Sequence, residues 1–362
     1  MANRPFVLAE LPAEVKEYYE DQLAAINQKL FYIGKENPSF SIKVNAFYSD
    51  RTDLHAQIVH RKKSKEIDIG ISPCYPVALH YYFNHLVQDY LISGVDEGID
   101  NDVLERIKSQ GLLIKFPGKR SFSLEIPSLI YDTLPKNEIQ RNIAFHSASF
   151  ALPFIGYHEL CHLTSDHLDT DTSFSISKIF KDLRLSLAMK KDPLTMHKIW
   201  EYEADILASS LLIEDIFTEV NRDYVEMCDL DFDNIYHKAS LVSTCIIAIF
   251  HLQHVSRARN QLHMSPLHRF IYILDHLINH IGHHFLVKDR QKLADTMFFS
   301  AQNVMKAWDR LNLDIQFDLE DRAKVRQTSE EGRIIASKSL RQRHLYKHRC
   351  YGTFVFNDQK VI

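Results

Sequence analysis

The stretch His158-Glu159-Leu160-Cys161-His162 constrains this chain more than any other. Side chains four residues apart share a face on an α-helix, and there both imidazoles reach a single metal ion. Glu159 then stands about 100° round the helix from His158. From that position it addresses a water on the ion without being a ligand itself. A catalytic zinc takes three protein ligands and keeps one position open, so a second element has to meet this helix with a third donor.

The second element is legible 40 residues on, in Trp200-Glu201-Tyr202-Glu203-Ala204-Asp205-Ile206-Leu207-Ala208. This E-x-x-A-D-x-x-A pattern lies in a strongly helical segment. Glu201 supplies the third ligand. Asp205, one turn further on the same face, is placed to accept the outer N–H of a ligand histidine and fix its tautomer. Ala204 and Ala208 are small enough for the two helices to approach closely. Glu203 is the alternative third ligand, but it lies two residues from Asp205 and so on a different face. Either pattern alone could be an accident in a chain with 20 histidines; the two together are far more specific.

The pairing resembles the gluzincin metallopeptidases, in which H-E-x-x-H is followed by E-x-x-x-D on a second helix. Within that group the pattern is most similar to the Lit-type phage-exclusion peptidases. The match runs over about 50 residues, His158 to Ala208. The resemblance implies Zn2+, a zincin-like helical core and hydrolysis of a protein or peptide substrate. It carries zinc ligation to His158, His162 and Glu201, the catalytic base to Glu159 and support of a ligand to Asp205. His263-Met264-Ser265-Pro266-Leu267-His268-Arg269 resembles, with two positions changed, the H-P-P-x-x-x-R segment of some relatives. That extends oxyanion or substrate contacts to His263 and Arg269. Tyr157, beside the motif, is a further candidate oxyanion donor, as is Tyr202.

The rest of the chain sets bounds on these expectations. Hydrophobic residues at 45% and charged residues at 25% are ordinary globular values. A net charge of −4 argues against a protein devoted to nucleic acid. The basic group Arg341, Arg343, Lys347 and Arg349 reads as solvated surface. Five scattered cysteines without C-x-x-C spacing indicate free thiols in a reducing compartment. Cys161, inside the motif, is either a small packing residue or a thiolate donor. The start of the chain has no secretory pattern. The most apolar run, Ala239–Phe250, is too short for a membrane span and reads as a core helix. The expected location is cytoplasmic, with no membrane partner, and the oligomeric state is left open.

The expected fold is α+β and mainly α, with a small N-terminal sheet. Residues 1–130 form an α/β part, and 131–362 a helical catalytic part. Helices are expected at Pro12–Leu30, Pro76–Ile92, Val103–Ser109, Glu138–His167, Pro193–Val220, Tyr236–Arg257, Pro266–Ile281 and Gln291–Leu311. Pro153 should kink or restart the motif helix. Strands are expected at Phe40–Tyr48, Leu54–His60, Glu66–Ile71 and Arg120–Ile126. The last of these is either a substrate-binding edge or an ordinary strand. The tail from Asp318 has no assigned form. His276, His280, His283 and His284 read as exposed residues at a helix end terminated by Gly282, with a second metal site as the alternative. His167 is either close to the zinc site or surface. Two functions follow from the whole: a zinc-dependent endopeptidase, possible in phage defence by the resemblance, or a non-catalytic metal-containing regulatory or sensor protein. Glu159 favours the enzyme, because a structural metal site has no use for a carboxylate there.

Overall fold

The computed structural model describes residues 8, 13–36, 43–50, 54, 56–60, 66–88, 135–164, 193–218, 234–256, 266–310 and 322–343. The expected helix at 103–109, the expected strand at 120–126, His167 and His263 lie outside them, as does the boundary near residue 130.

Helix α1 (Ala13–Glu36) opens the described chain, followed by strands β1 (Lys43–Tyr48), β2 (Ala56–His60) and β3 (Glu66–Ile71). The strand order is β1-β3-β2, with β1 parallel and β2 antiparallel to β3. The central position of β3 explains its composition. Ile67, Ile69 and Ile71 are buried, and so is Asp68, as expected for a strand covered on both faces. Asn27 of α1 ties helix to sheet, since its Oδ1 accepts from the Ala46 N–H at 2.7 Å and its Nδ2 donates to the Ala46 carbonyl at 3.1 Å.

Seven helices follow among the described residues: α2 (Cys74–Leu86), α3 (Glu138–Thr164), α4 (Pro193–Thr218), α5 (Ile235–Ser256), α6 (Pro266–His284), α7 (Arg290–Arg310) and α8 (Arg322–Arg343). The described residues are thus mainly helical, with one small three-stranded sheet. One apolar core runs through both parts, from Ile26 and Ile69 to Phe154, Ile246 and Leu277. Helix α3 lies at the junction. It packs on α4 and α5 and also on α1, α2 and the sheet.

Three expectations about elements need correction. Pro153 does not restart α3, which is one helix across it. Proline cannot donate to the carbonyl four residues back, so the helix loses one internal bond a turn before the motif. The apolar run at 239–250 lies in the helix expected at Tyr236–Arg257 and is buried as a core helix is, but the expectation that it is too short for a membrane span changes. Ile235–Gln253 is long and apolar enough by length and composition to cross a membrane, and here α5 packs among α3, α4, α6 and α7. Gly282 does not terminate α6 either, because the helix continues to His284 and the left-handed residue is Leu286, at φ 52°. The glycine instead admits a neighbour: a Cβ there would lie 3.1 Å from Arg290 Nε.

Candidate metal centre

The motif turn of α3 is buried because the whole helix is. Phe154, Tyr157, His158, Leu160 and Cys161 are each under 5% exposed, and His162 is 8% exposed. Ala204 and Ala208 of α4 are fully buried, as close packing of α4 on α3 requires. This approach brings Glu201 opposite both histidines. His158 Nε2 and His162 Nε2 stand 3.1 Å apart. The Glu201 carboxylate places Oε2 3.7 Å from the first and Oε1 3.7 Å from the second.

These distances test whether the residues suit a metal. Zinc bonds of about 2.0–2.1 Å in a tetrahedron put donor atoms roughly 3.4 Å apart, the middle of the observed range. Two imidazole nitrogens and a carboxylate facing one point are all electron-pair donors, so a cation between them satisfies all three. His158, His162 and Glu201 form such a group, with donor atoms within 4.8 Å of one another. Glu203, although buried on the same helix, is not a member. Neither is Cys161. Its burial, followed by the charge of Asp205, holds the thiol well above its ordinary pKa, so it stays protonated beside the donors.

Behind the donors lies a buried polar chain. Asp205, 1% exposed, sets Oδ1 3.0 Å from His158 Nδ1. A carboxylate at that distance favours the proton on Nδ1, which leaves the Nε2 lone pair directed at His162 and Glu201. The same carboxylate takes both arms of Arg269, Nε to Oδ2 at 2.9 Å and Nη2 to Oδ1 at 2.6 Å. Nη1 of Arg269 donates to Gln253 Oε1 at 2.6 Å, and the guanidinium lies 4.0 Å from the centre of the Phe250 ring. Gln253 and Phe250 come from α5, so four helices meet at this site. Burial pulls the His158 pKa down. The hydrogen bond and charge of Asp205, with Glu201 adding, outweigh both burial and the opposing Arg269, and leave it above the ordinary value.

No family model, curated protein or solved structure matches this chain.

The structure thus brings His158, His162, Glu201 and Asp205 together. Glu159, on the same turn of α3, is partly buried. Two expected substrate contacts are placed otherwise. The Arg269 guanidinium is bonded to Asp205 and Gln253, lies 3.8 Å from Glu201 Oε2 through Nη2, and is 5% exposed. The Tyr157 hydroxyl donates to Asp215 Oδ2 at 2.5 Å, on a carboxylate that Lys29 of α1 also holds at 2.8 Å. Asp215 lies ten residues beyond Asp205 on α4, about 15 Å along that helix, so Tyr157 faces away from the donors. Gln253 and Phe250 carried no recognisable pattern.

Proposed function

We propose that this protein is a zinc-dependent endopeptidase acting on an intracellular protein substrate. The observation that carries the reading is the convergence of His158, His162 and Glu201 on one point, with the Asp205–Arg269 pair behind His158. A purely structural site would close the fourth position with another protein donor, whereas the described residues offer three. Zinc held there supplies a Lewis acid and a water acidified towards neutrality.

The residues of the chain divide the remaining work. Glu159 accepts the proton of the attacking water at a carboxylate oxygen and returns it to the amine nitrogen of the leaving chain. Asp205 holds His158 in the tautomer that turns Nε2 to the site. Arg269 neutralises Asp205, which would otherwise be a buried anion without a counter-charge. It acts as a positioning residue rather than as a contact to substrate. The resemblance to Lit-type peptidases extends the proposal to phage defence by cleavage of a host protein.

The test is a survey of new protein N-termini in cells expressing the wild type or Glu159→Gln. New ends that appear with the wild type and vanish with the variant are expected, since general-base catalysis contributes about 10²–10⁴-fold. The same set of ends from both proteins would refute the assignment.

A further inference from the structure

Helices α4 and α6 run parallel. Asp205 meets Arg269, Ser210 Oγ lies 2.9 Å from His276 Nε2, and Glu214 Oε1 lies 3.4 Å from His280 Nε2. The pairing thus advances in step along both helices, and its far end has a chemistry of its own. His280 and His284 are one turn apart on α6, with ring centres 4.2 Å apart and nearly parallel planes. Glu214, His280 and His284 form a second group whose donor atoms all lie within 4.8 Å of one another. The alternative weighed from sequence, a metal site among the C-terminal histidines, lacked this carboxylate, because nothing in the sequence brings residue 214 to residue 280.

We propose that Glu214, His280 and His284 form a second transition-metal site that clamps α4 to α6. The 3.4 Å separation of Glu214 Oε1 and His280 Nε2 equals the spacing of two donors on one tetrahedral ion of about 2.0–2.1 Å bond length. Two imidazoles and one carboxylate select zinc, cobalt, nickel or copper over calcium or magnesium, which prefer all-oxygen sites. The donors are also held in place before metal arrives. On one side the Ser210–His276 contact fixes the helix spacing, and on the other the Phe217 and Phe285 rings pack 4.3 Å apart. The Glu214 side chain is 39% exposed, so the open side of this site faces solvent and exchanges metal readily. The residue after His280 is Ile281, fully buried, so no base accompanies these histidines. The site braces and does not hydrolyse. It lies on the same helix pair as Asp205 and Arg269, so filling it stiffens the register that places Asp205.

The experiment is a zinc titration against a calibrated chromophoric chelator on the full-length protein, with thermal unfolding recorded at each metal level. Wild type should bind two equivalents. His284→Ala and Glu214→Gln, changes at partly exposed positions, should each lose one equivalent and the part of the metal-dependent rise in Tm that it brings. His283→Ala, an exposed neighbour turned to Arg290, should lose neither. Glu201→Ala reports on the first site separately, so the two assignments fail independently. Unchanged stoichiometry and affinity in both His284→Ala and Glu214→Gln would overturn the proposal, as would equal loss in His283→Ala.

Discussion

The pairs His158/His162 and His280/His284 have the same spacing and opposite surroundings. The first is buried within four helices, with Glu159 following its leading histidine and the Asp205–Arg269–Gln253 chain behind it. The second lies at a partly open helix edge, with Ile281 in the place of the glutamate and Glu214 of α4 as the carboxylate that faces it. Spacing alone makes a place where metal can bind. What stands beside and behind the imidazoles decides whether that place can also do chemistry.

Stability should separate the two ends of the α4–α6 pair most strongly. Arg269→Met leaves Asp205 as a buried charge without its partner, and should cost about 3–5 kcal/mol in denaturant unfolding. Glu214→Gln in metal-free protein should cost less than about 1 kcal/mol, because its contact with His280 is partly open to solvent. Equal costs at the two ends would break the contrast between them.

A second test concerns buried histidines that have no carboxylate beside them. His80 is 5% exposed, lies between the rings of Tyr18 and Phe145, and burial lowers its pKa to about 4 from the ordinary 6.5. Above pH 6.5 it is neutral in both folded and unfolded chains and makes no difference. As pH falls from 6.5 towards 4 the unfolded chain takes up the proton first, so stability is lost across that window, by roughly 3 kcal/mol in all. His80→Leu should remove that loss from the pH profile of unfolding. In metal-free protein His158 has the opposite sign, since its raised pKa gives stability at low pH that fades as pH rises through that value. An unchanged acid limb in His80→Leu would mean that the histidine is not held neutral by its surroundings.

A smaller effect is expected at Asp205 itself. Asp205→Asn keeps an acceptor for His158 Nδ1–H but withdraws the charge, and should weaken zinc binding about tenfold. Asp205→Ala should reach about a hundredfold. Affinity equal to wild type in both, measured by chelator competition, would reduce Asp205 to a partner of Arg269 alone.

Much of this arrangement was legible in the sequence because helical periodicity is local. The spacing of His158 and His162, and of Glu201 and Asp205, needs only the rise and turn of a helix to become a pair of faces. The first three strands were equally readable, as short β-branched and aromatic runs between polar breaks. What could not be read depends on helix–helix register. Arg269 was singled out as a substrate contact, and only the parallel packing of α6 on α4 turns it to Asp205. Tyr157 adjoins His158 in the chain, yet helical rotation points it to Asp215 and Lys29. Glu214 lies 66 residues from His280 and entered no pattern. Gly282 looked like a helix end because glycine so often is one, whereas here it admits Arg290 against the helix side.

The most direct test of the central claim is the zinc affinity of Glu159→Gln and Glu201→Ala against wild type, by chelator competition on protein first stripped of metal. Glu159→Gln should bind zinc as wild type does, because the base is not a ligand, while Glu201→Ala should lose one tight equivalent. Loss of that equivalent in Glu159→Gln, or its retention in Glu201→Ala, would contradict the division of ligand and base on which the proposed function rests.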